Sequence, residues 1–301
     1  MAVPATELSG IEATMRSEPS PSLAESYAVC RRVTAGSGTS FAIGIRLTPA
    51  RCRPAMTAIY AWMRLADDAA DADAPADDRR AVLDAFEFDT RGTLAGTPPD
   101  RSLWPAVAEA VREHQIEPAW LLGLIAGVRQ DVGLVDLDTD GQLMAYCDRV
   151  AGNVGRCCTA IWGLRPGVSR DAALELAALR GRGFQLINIA RDLESDLAAG
   201  RRYLPRERLA RLGIDPTSAD GVRAARADLA AAAEAMLAES APLDGLIRRD
   251  ARAATWAMTS AYGAILGRLR RQRPPRLTAA SKLRVAIGAL ARRVLPAGAH
   301  A

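Results

Sequence analysis

An acidic motif closes a helical segment that is otherwise mostly apolar. Its acids are Asp67, Asp68 and Asp71, and the preceding residues 56–65 are rich in methionine, alanine, isoleucine and leucine. Asp67 and Asp71 are four positions apart, so they share one face of a helix. Two carboxylates on one partly buried face repel each other unless a cation neutralises them. The motif therefore predicts a cation site.

A second motif places amide and carboxylate oxygens in one stripe. Asn188, Asp192 and Asp196 follow one another every four residues, and Gln185 lies just before them. Apolar residues separate them, which indicates that this helix also packs against a core. Oxygen ligands suit Mg²⁺, with Mn²⁺ as an alternative, and Mg²⁺ commonly combines one or two carboxylates with substrate phosphate oxygens. Together the motifs predict metal ions that bind a diphosphate and stabilise it as a leaving group.

Composition excludes several other kinds of site. The sequence has two histidines, His114 and His300, which are too far apart to indicate a histidine-rich zinc site. A net charge of +4 over 301 residues is too small for a dedicated nucleic-acid-binding protein. Lys282 is the only lysine, so the cations that bind phosphate in this chain are expected to be arginines. Five cysteines without a C-x-x-C pair are expected to be ordinary thiols.

Helical periodicity and alanine-rich composition run through nearly the whole chain. The sequence therefore predicts one all-α domain over 23–273, with a loose arm at 1–22 and a basic amphipathic segment at 274–301. No apolar run is long enough to cross a membrane and no secretory leader is recognised, so the protein is expected in the cytosol. Helices are predicted near residues 23–35, 49–71, 77–94, 102–114, 118–133, 139–163, 168–199, 205–211, 218–240, 243–271 and 278–294.

The two motifs and their surroundings resemble the squalene/phytoene synthase family. The resemblance runs from about Ser26 to Gly213 in five ordered blocks. It is strongest over residues 183–196, which read Gly-Phe-Gln-Leu-Ile-Asn-Ile-Ala-Arg-Asp-Leu-Glu-Ser-Asp, and over the following Gly-Arg-Arg-Tyr-Leu-Pro at 200–205. It implies an all-helical isoprenoid synthase fold, a single bundle around a central apolar cavity with the two acidic helices facing each other. It also implies head-to-head condensation of two allylic prenyl diphosphates through a cyclopropylcarbinyl diphosphate.

The resemblance also implies a role for each matched residue. The implied metal ligands are Asp67, Asp71, Asn188, Asp192 and Asp196. The implied catalytic residues are Asp67, Asp68, Asp71, Asp192, Asp196, Tyr60 and Tyr203. The implied substrate-binding residues are Ser40, Phe41, Arg64, Tyr146, Gln185, Asn188, Arg191 and Arg201. One departure is Ser195, where the family commonly has an acid, and here the acid is Glu194, one position earlier.

Several alternatives stay open at this point. The substrate is farnesyl or geranylgeranyl diphosphate, and the product is phytoene, presqualene diphosphate, hydroxysqualene or squalene, a precursor of carotenoids, hopanoids or sterols. A product that needs no NADPH is favoured. The competing functions are a non-catalytic assembly factor and a head-to-tail prenyltransferase. Residues 281–295 form a terminal helix docked on the core, or a helix that lies on the inner face of a membrane. The sequence does not indicate an oligomeric state.

Overall fold

A computed structural model describes residues 22–36, 41–275 and 278–294 of the chain. These residues are overwhelmingly helical, which confirms the predicted all-α class. They form two compact units, one within Met1–Gly38 and Ala50–Leu134, the other within Thr39–Pro49 and Val135–Ala301. Apart from Ser22, the predicted N-terminal arm lies outside the described residues, as does Ser40.

Proline residues mark the starts of several helices in the first unit. Pro54, Pro105 and Pro118 each lie in a first turn, where a missing amide hydrogen breaks no helical hydrogen bond. The helix predicted from residue 49 begins at Arg53, because residues 50–52 form a turn. The helices of this unit are α1 (Leu23–Gly36), α3 (Arg53–Asp71), α4 (Ala76–Leu94), α5 (Trp104–His114) and α6 (Pro118–Gln130).

Three aromatic rings form the centre of the first unit. Phe86 on α4 lies between Trp62 on α3 and Trp104 on α5, with ring centroids 5.4 and 5.3 Å away. All three side chains are fully buried. Trp62 also donates its Nε1–H to Thr90 Oγ1 at 3.1 Å, which ties α3 to α4. This cluster fixes the position of α3, the helix that ends in the first acidic motif.

The second unit is built around one long helix. Ser169 caps the start of that helix by accepting a hydrogen bond from the Ala172 amide at 3.4 Å. The elements of this unit are α2 (Phe41–Leu47), β1 (Val135–Asp136), α7 (Asp140–Cys147), a π-helical turn (Asp148–Gly152), α8 (Asn153–Trp162), α9 (Arg170–Ala198), β2 (Arg201–Arg202), α10 (Arg206–Leu212), α11 (Ala219–Glu239), α12 (Leu243–Leu246), a 3-10 turn (Arg249–Ala251), α13 (Arg252–Arg270) and α14 (Ala279–Val294).

The helix predicted over 139–163 runs as unbroken helical backbone from Asp140 to Trp162, with a π-helical turn at Asp148–Gly152 between α7 and α8. Next to this turn, the backbones of α8 and of the turn itself pack closely against the backbone of α9. A β-carbon at Gly155 would lie 2.3 Å from the Ala177 carbonyl oxygen, and one at Gly181 would lie 2.2 Å from the Ala151 carbonyl oxygen. Only glycine permits such an approach of one backbone to another. These contacts set α9, which carries the second motif, directly against its neighbours.

An interruption divides the predicted helix over 243–271. Ile247 forms an isolated antiparallel bridge with Leu164, so the chain leaves helical geometry after α12 and resumes it in α13. The sequence prediction also missed α2. This helix has only seven residues, and its Gly44 meets the Met258 side chain so closely that a β-carbon would lie 2.6 Å from Cγ. Packing on α13, rather than local propensity, therefore explains this helix.

Two short parallel strands join distant parts of the second unit. Val135 of β1 pairs with Arg201 of β2, and Asp136 pairs with Arg202. The Asp136 carboxylate also accepts hydrogen bonds from the Arg202 and Arg206 guanidinium groups. This pairing holds the segment that directly follows the second motif.

The basic C-terminal segment forms α14, which packs on α13. Val285 and Ala289 of α14 are buried against Ala257, and Leu47 and Trp256 complete this contact. The prediction of a terminal helix docked on the core is therefore confirmed for residues 279–294. Within the described part of the chain, no helix combines the length and the apolar character needed to cross a bilayer.

Candidate active site

The first motif extends along one face of α3. Tyr60, Arg64, Asp67 and Asp71 recur every three or four residues, so their side chains leave the helix on the same side. Tyr60 is buried, Arg64 and Asp67 are half-buried, and Asp71 is exposed at the helix end. Asp68 forms an ion pair with Arg64, one turn earlier. The structure thus places the predicted residues of this motif together, and the role of Arg64 in binding diphosphate stays a prediction.

Burial raises the pKa of Asp67 to about 7. The charge of Arg64 lowers this pKa, whereas the charges of Asp71 and Asp131 raise it further. Asp131 directly follows α6, which packs on α3. No role was predicted for Asp131, and the structure places its charge near the first motif.

The raised pKa of Asp67 predicts how stability depends on pH. The ordinary pKa of an aspartate is 3.8. Because the folded state favours the neutral acid, the stability that depends on Asp67 is full below about pH 4 and is lost as pH rises through about 7. Replacing Asp67 with asparagine should remove this loss. Without divalent cations, thermal unfolding should show the variant gaining roughly 2 kcal/mol over wild type between pH 4 and pH 8, since partial exposure screens the full effect.

The exposed Asp77 on α4 offers a matched comparison for this prediction. An Asp77→Asn variant should follow the wild-type pH dependence closely, because its carboxylate is solvated in both the folded and the unfolded chain. Parallel pH profiles for wild type and Asp67→Asn would contradict the prediction.

The second motif leaves one buried oxygen without a hydrogen bond. On α9, Asn188 donates its Nδ2–H to Gln185 Oε1 at 3.2 Å. Asn188 Oδ1 is buried and has no hydrogen-bond partner among the described residues. An unsatisfied buried acceptor costs free energy, and buried groups of this kind in native proteins call for an explanation. A bound cation would supply one.

Arginines neutralise both carboxylates of the second motif. Arg191 donates from Nε and from a terminal nitrogen to the two oxygens of Asp192, at 2.9 and 2.5 Å. The hydrogen bond to Asp192 is the main reason that the pKa of Arg191 is raised. Arg201, held by β2, donates to Asp196 at 3.1 Å. The stripe predicted from sequence therefore exists, and each of its acids pairs with an arginine that the family resemblance implies to be substrate-binding.

Two tyrosines that the sequence analysis singled out pack against each other. Tyr146, in the last turn of α7, and Tyr203, just after β2, have ring centroids 4.9 Å apart and are both buried. Another tyrosine, Tyr262, was not singled out from sequence. Tyr262 on α13 stacks on Phe184 with centroids 4.0 Å apart, and it lies near enough to Arg191 to make a lesser contribution to the raised pKa of that residue. No motif surrounds Tyr262, so only the packing of α13 near α9 reveals it.

The donor atoms of the second motif fit a hard cation. They comprise one buried amide oxygen without a partner and two carboxylates, all oxygens of the kind that Mg²⁺ prefers. In the described ranges, no three histidine, cysteine, aspartate or glutamate side chains converge as a metal site. The metal assignments therefore stay predictions. Ser40 and the side chain of Phe41 lie outside the described residues. The five cysteines are thiols, as predicted, and all of them are buried.

Known proteins resemble the chain over most of its length. A family model described as squalene/phytoene synthase matches residues 34–289. The presqualene diphosphate synthase of Zymomonas mobilis is 35% identical over 60% of this chain and 61% of its own length. The 15-cis-phytoene synthase of Synechocystis is 35% identical over 64% of this chain and 60% of its own length. The aligned region thus spans about three fifths of these curated relatives.

A solved structure supports the fold. A crystal structure of a dehydrosqualene synthase in complex with a ligand matches 89% of this chain and 96% of its own, with a TM-score of 0.80 and 25% sequence identity. The similarity extends over both units, since each contributes far more residues than the unmatched tenth of the chain. The predicted isoprenoid synthase fold is therefore confirmed.

Proposed function

Since the chain belongs to the squalene/phytoene synthase family, we propose that it is a prenyltransferase that joins two allylic prenyl diphosphates head to head. The observation that carries this proposal is the oxygen stripe on α9, where Asn188 Oδ1 is buried without a partner and two carboxylates lie on the same face. Family membership alone would not distinguish an enzyme from a relative that lacks the site. The retained acids of both motifs favour an enzyme.

Each motif is assigned a metal-binding role within its own unit. In the first, Asp67 and Asp71 would bind Mg²⁺, and in the second, Asn188, Asp192 and Asp196 would do so. Mg²⁺ bound to these oxygens would neutralise diphosphate charge and stabilise the leaving group as its carbon–oxygen bond breaks. Mn²⁺, which prefers the same oxygen ligands, would be expected to substitute.

The arginines are assigned to the diphosphate oxygens. A guanidinium group can donate two parallel hydrogen bonds to phosphate oxygens, so Arg64, Arg191 and Arg201 suit this role. In the structure each of them pairs with a motif aspartate instead. Binding of a cation to Asp192 and Asp196 would leave Arg191 and Arg201 available for the diphosphate. The chain's own ion pairs therefore keep both partners in place before substrate binds.

The substrate is proposed to be farnesyl or geranylgeranyl diphosphate. Relatives carry the names presqualene diphosphate synthase and 15-cis-phytoene synthase. These names support presqualene diphosphate or phytoene as the product of the present chain. Tyr60 and Tyr203, both buried beside the motifs of their units, are the proposed catalytic tyrosines. A reaction without NADPH is proposed.

Incubation of the purified full-length protein with each diphosphate tests the proposal. Reactions would contain farnesyl or geranylgeranyl diphosphate with Mg²⁺, with Mn²⁺, or with EDTA, and each would be run with and without NADPH. Released diphosphate would be measured, and the lipid extract would be analysed by mass spectrometry. We expect one substrate to give a head-to-head product with either metal, none with EDTA, and the same product with and without NADPH.

A parallel reaction with isopentenyl diphosphate separates the competing functions. Consumption of isopentenyl diphosphate to give a longer linear diphosphate would replace the proposal with head-to-tail elongation. No diphosphate release from any substrate, by protein that is folded by circular dichroism, would favour a non-catalytic assembly factor.

A further inference from the structure

The C-terminal part of the chain has a strong excess of positive charge. No acidic residue follows Asp250, while ten basic residues do, namely Arg252, Arg268, Arg270, Arg271, Arg273, Arg276, Lys282, Arg284, Arg292 and Arg293. Residues 1–250 contain the remaining 29 basic residues and all 35 acidic residues, so this part of the chain carries a net charge of −6. The overall charge of +4 therefore conceals a cationic end on an anionic body.

Within this cationic end, α14 presents two opposite faces. Val285 and Ala289 are buried against α13, and Gly288 approaches Trp256 so closely that a β-carbon would lie 2.2 Å from the ring. Leu283 and Ile287 lie on the opposite face, because they are offset from the buried positions by about half a turn. Their exposures are 61% and 60%.

The charges on α14 flank the exposed apolar pair. Lys282 and Arg284 are both exposed and leave the helix on either side of Leu283. Long basic side chains in this position can reach charged groups while the apolar pair enters a nonpolar layer. A helix with this arrangement is typical of proteins that lie at a bilayer surface.

We propose that the outer face of α14, formed by Lys282, Leu283, Arg284 and Ile287, binds the surface of an anionic lipid bilayer. Basic residues complement anionic headgroups, and the apolar pair enters the boundary between headgroups and acyl chains. The buried face keeps α14 attached to α13. Since it relies only on the charge and exposure of this helix, the proposal does not depend on the reaction that the protein catalyses.

Vesicle co-sedimentation of the full-length protein tests this proposal. Vesicles of phosphatidylcholine alone would be compared with vesicles that also contain phosphatidylglycerol, at low and high salt. We expect binding to the anionic vesicles that weakens with salt. A Leu283→Ser, Ile287→Ser double variant should bind at least roughly tenfold more weakly. A Lys282→Glu, Arg284→Glu double variant should lose roughly fivefold or more for each charge.

Matched variants on the first unit serve as controls. Phe88→Ser removes an exposed apolar side chain from α4, and Arg112→Glu reverses an exposed charge on α5. Both should bind vesicles as wild type does, and circular dichroism should show all variants folded. Absence of wild-type binding, equal binding to uncharged vesicles, or unchanged binding by the α14 variants would each overturn the proposal. Self-association through this face, seen by light scattering without vesicle binding, would overturn it too.

Discussion

An Asp192→Asn variant is expected to lose about a thousandfold in kcat/KM for its prenyl diphosphate. Asparagine keeps the shape of the side chain but removes the charge that the proposed function assigns to Mg²⁺. Loss of one group that stabilises developing charge in an active site typically costs a hundredfold to a thousandfold. Diphosphate release under steady-state conditions measures the effect, and the concentration of Mg²⁺ needed for half-maximal rate should rise as well.

This loss should come without a large loss of stability. The Arg191–Asp192 pair is partly solvated, with 33% and 42% of the two side chains exposed. An ion pair of this kind contributes at most about 1 kcal/mol. The melting temperature of the variant should therefore stay within a few degrees of wild type, by roughly the scaling for a chain of this size. A large drop would mean that the activity was lost through unfolding.

Glu194 supplies the matched control on the same helix. Its carboxylate pairs with Arg226 on α11, at 3.1 Å, and is mostly exposed. A Glu194→Gln variant should keep nearly full activity, since the proposed function gives it no contact with metal or substrate. Equal losses for the two variants would indicate a general dependence on negative charge along α9 and would contradict the specific assignment of Asp192.

A Phe86→Ala variant should lower the free energy of unfolding by about 3–5 kcal/mol, the usual cost of truncating a buried phenylalanine. The ring is fully buried and contacts Trp62 and Trp104 across three helices. Removing it leaves a cavity lined by rings that cannot collapse freely, and it removes two aromatic contacts. Denaturant unfolding followed by tryptophan fluorescence measures the effect, because both neighbours are tryptophans.

Phe88 lies two residues further along α4 and is 78% exposed. A Phe88→Ala variant removes the same number of atoms from the same helix but creates no cavity, so it should change stability by less than about 0.5 kcal/mol. Similar losses for the two variants would show that the helix itself, rather than the aromatic cluster, determines the result.

The helices were largely predictable from sequence because the apolar periodicity and the residues at helix ends indicate the same helix boundaries along most of the chain. Ser169 caps α9 close to its predicted start, and prolines mark the starts of several others. The errors arise where tertiary contacts decide the backbone. The π-helical turn lies beside the close contact of Gly181 with Ala151, and α2 depends on the contact between Gly44 and Met258. Neither contact leaves a local signal.

The candidate site was predictable to the extent that spacing along a helix determines which side chains share a face. The α9 stripe and the Arg64–Asp68 pair follow from intervals of four residues. The proximity of Asp131 to Asp67 depends on how α6 packs on α3, and that of Tyr262 to Arg191 depends on α13. Such contacts join residues that are distant in sequence, and spacing along a single sequence gives no measure of them.

The pairing of β1 with β2 also bears on the order of folding. The paired residues Asp136 and Arg202 are 66 positions apart, so their contact closes a long loop. Chain entropy opposes closing such a loop. Each strand has only two residues, so the pairing forms few hydrogen bonds to offset that cost. The strands therefore gain stability only once α7, α8 and α9 have already brought their ends together. Arg201 and Tyr203 should accordingly reach their native positions late in folding, after the helix that carries the second motif has formed.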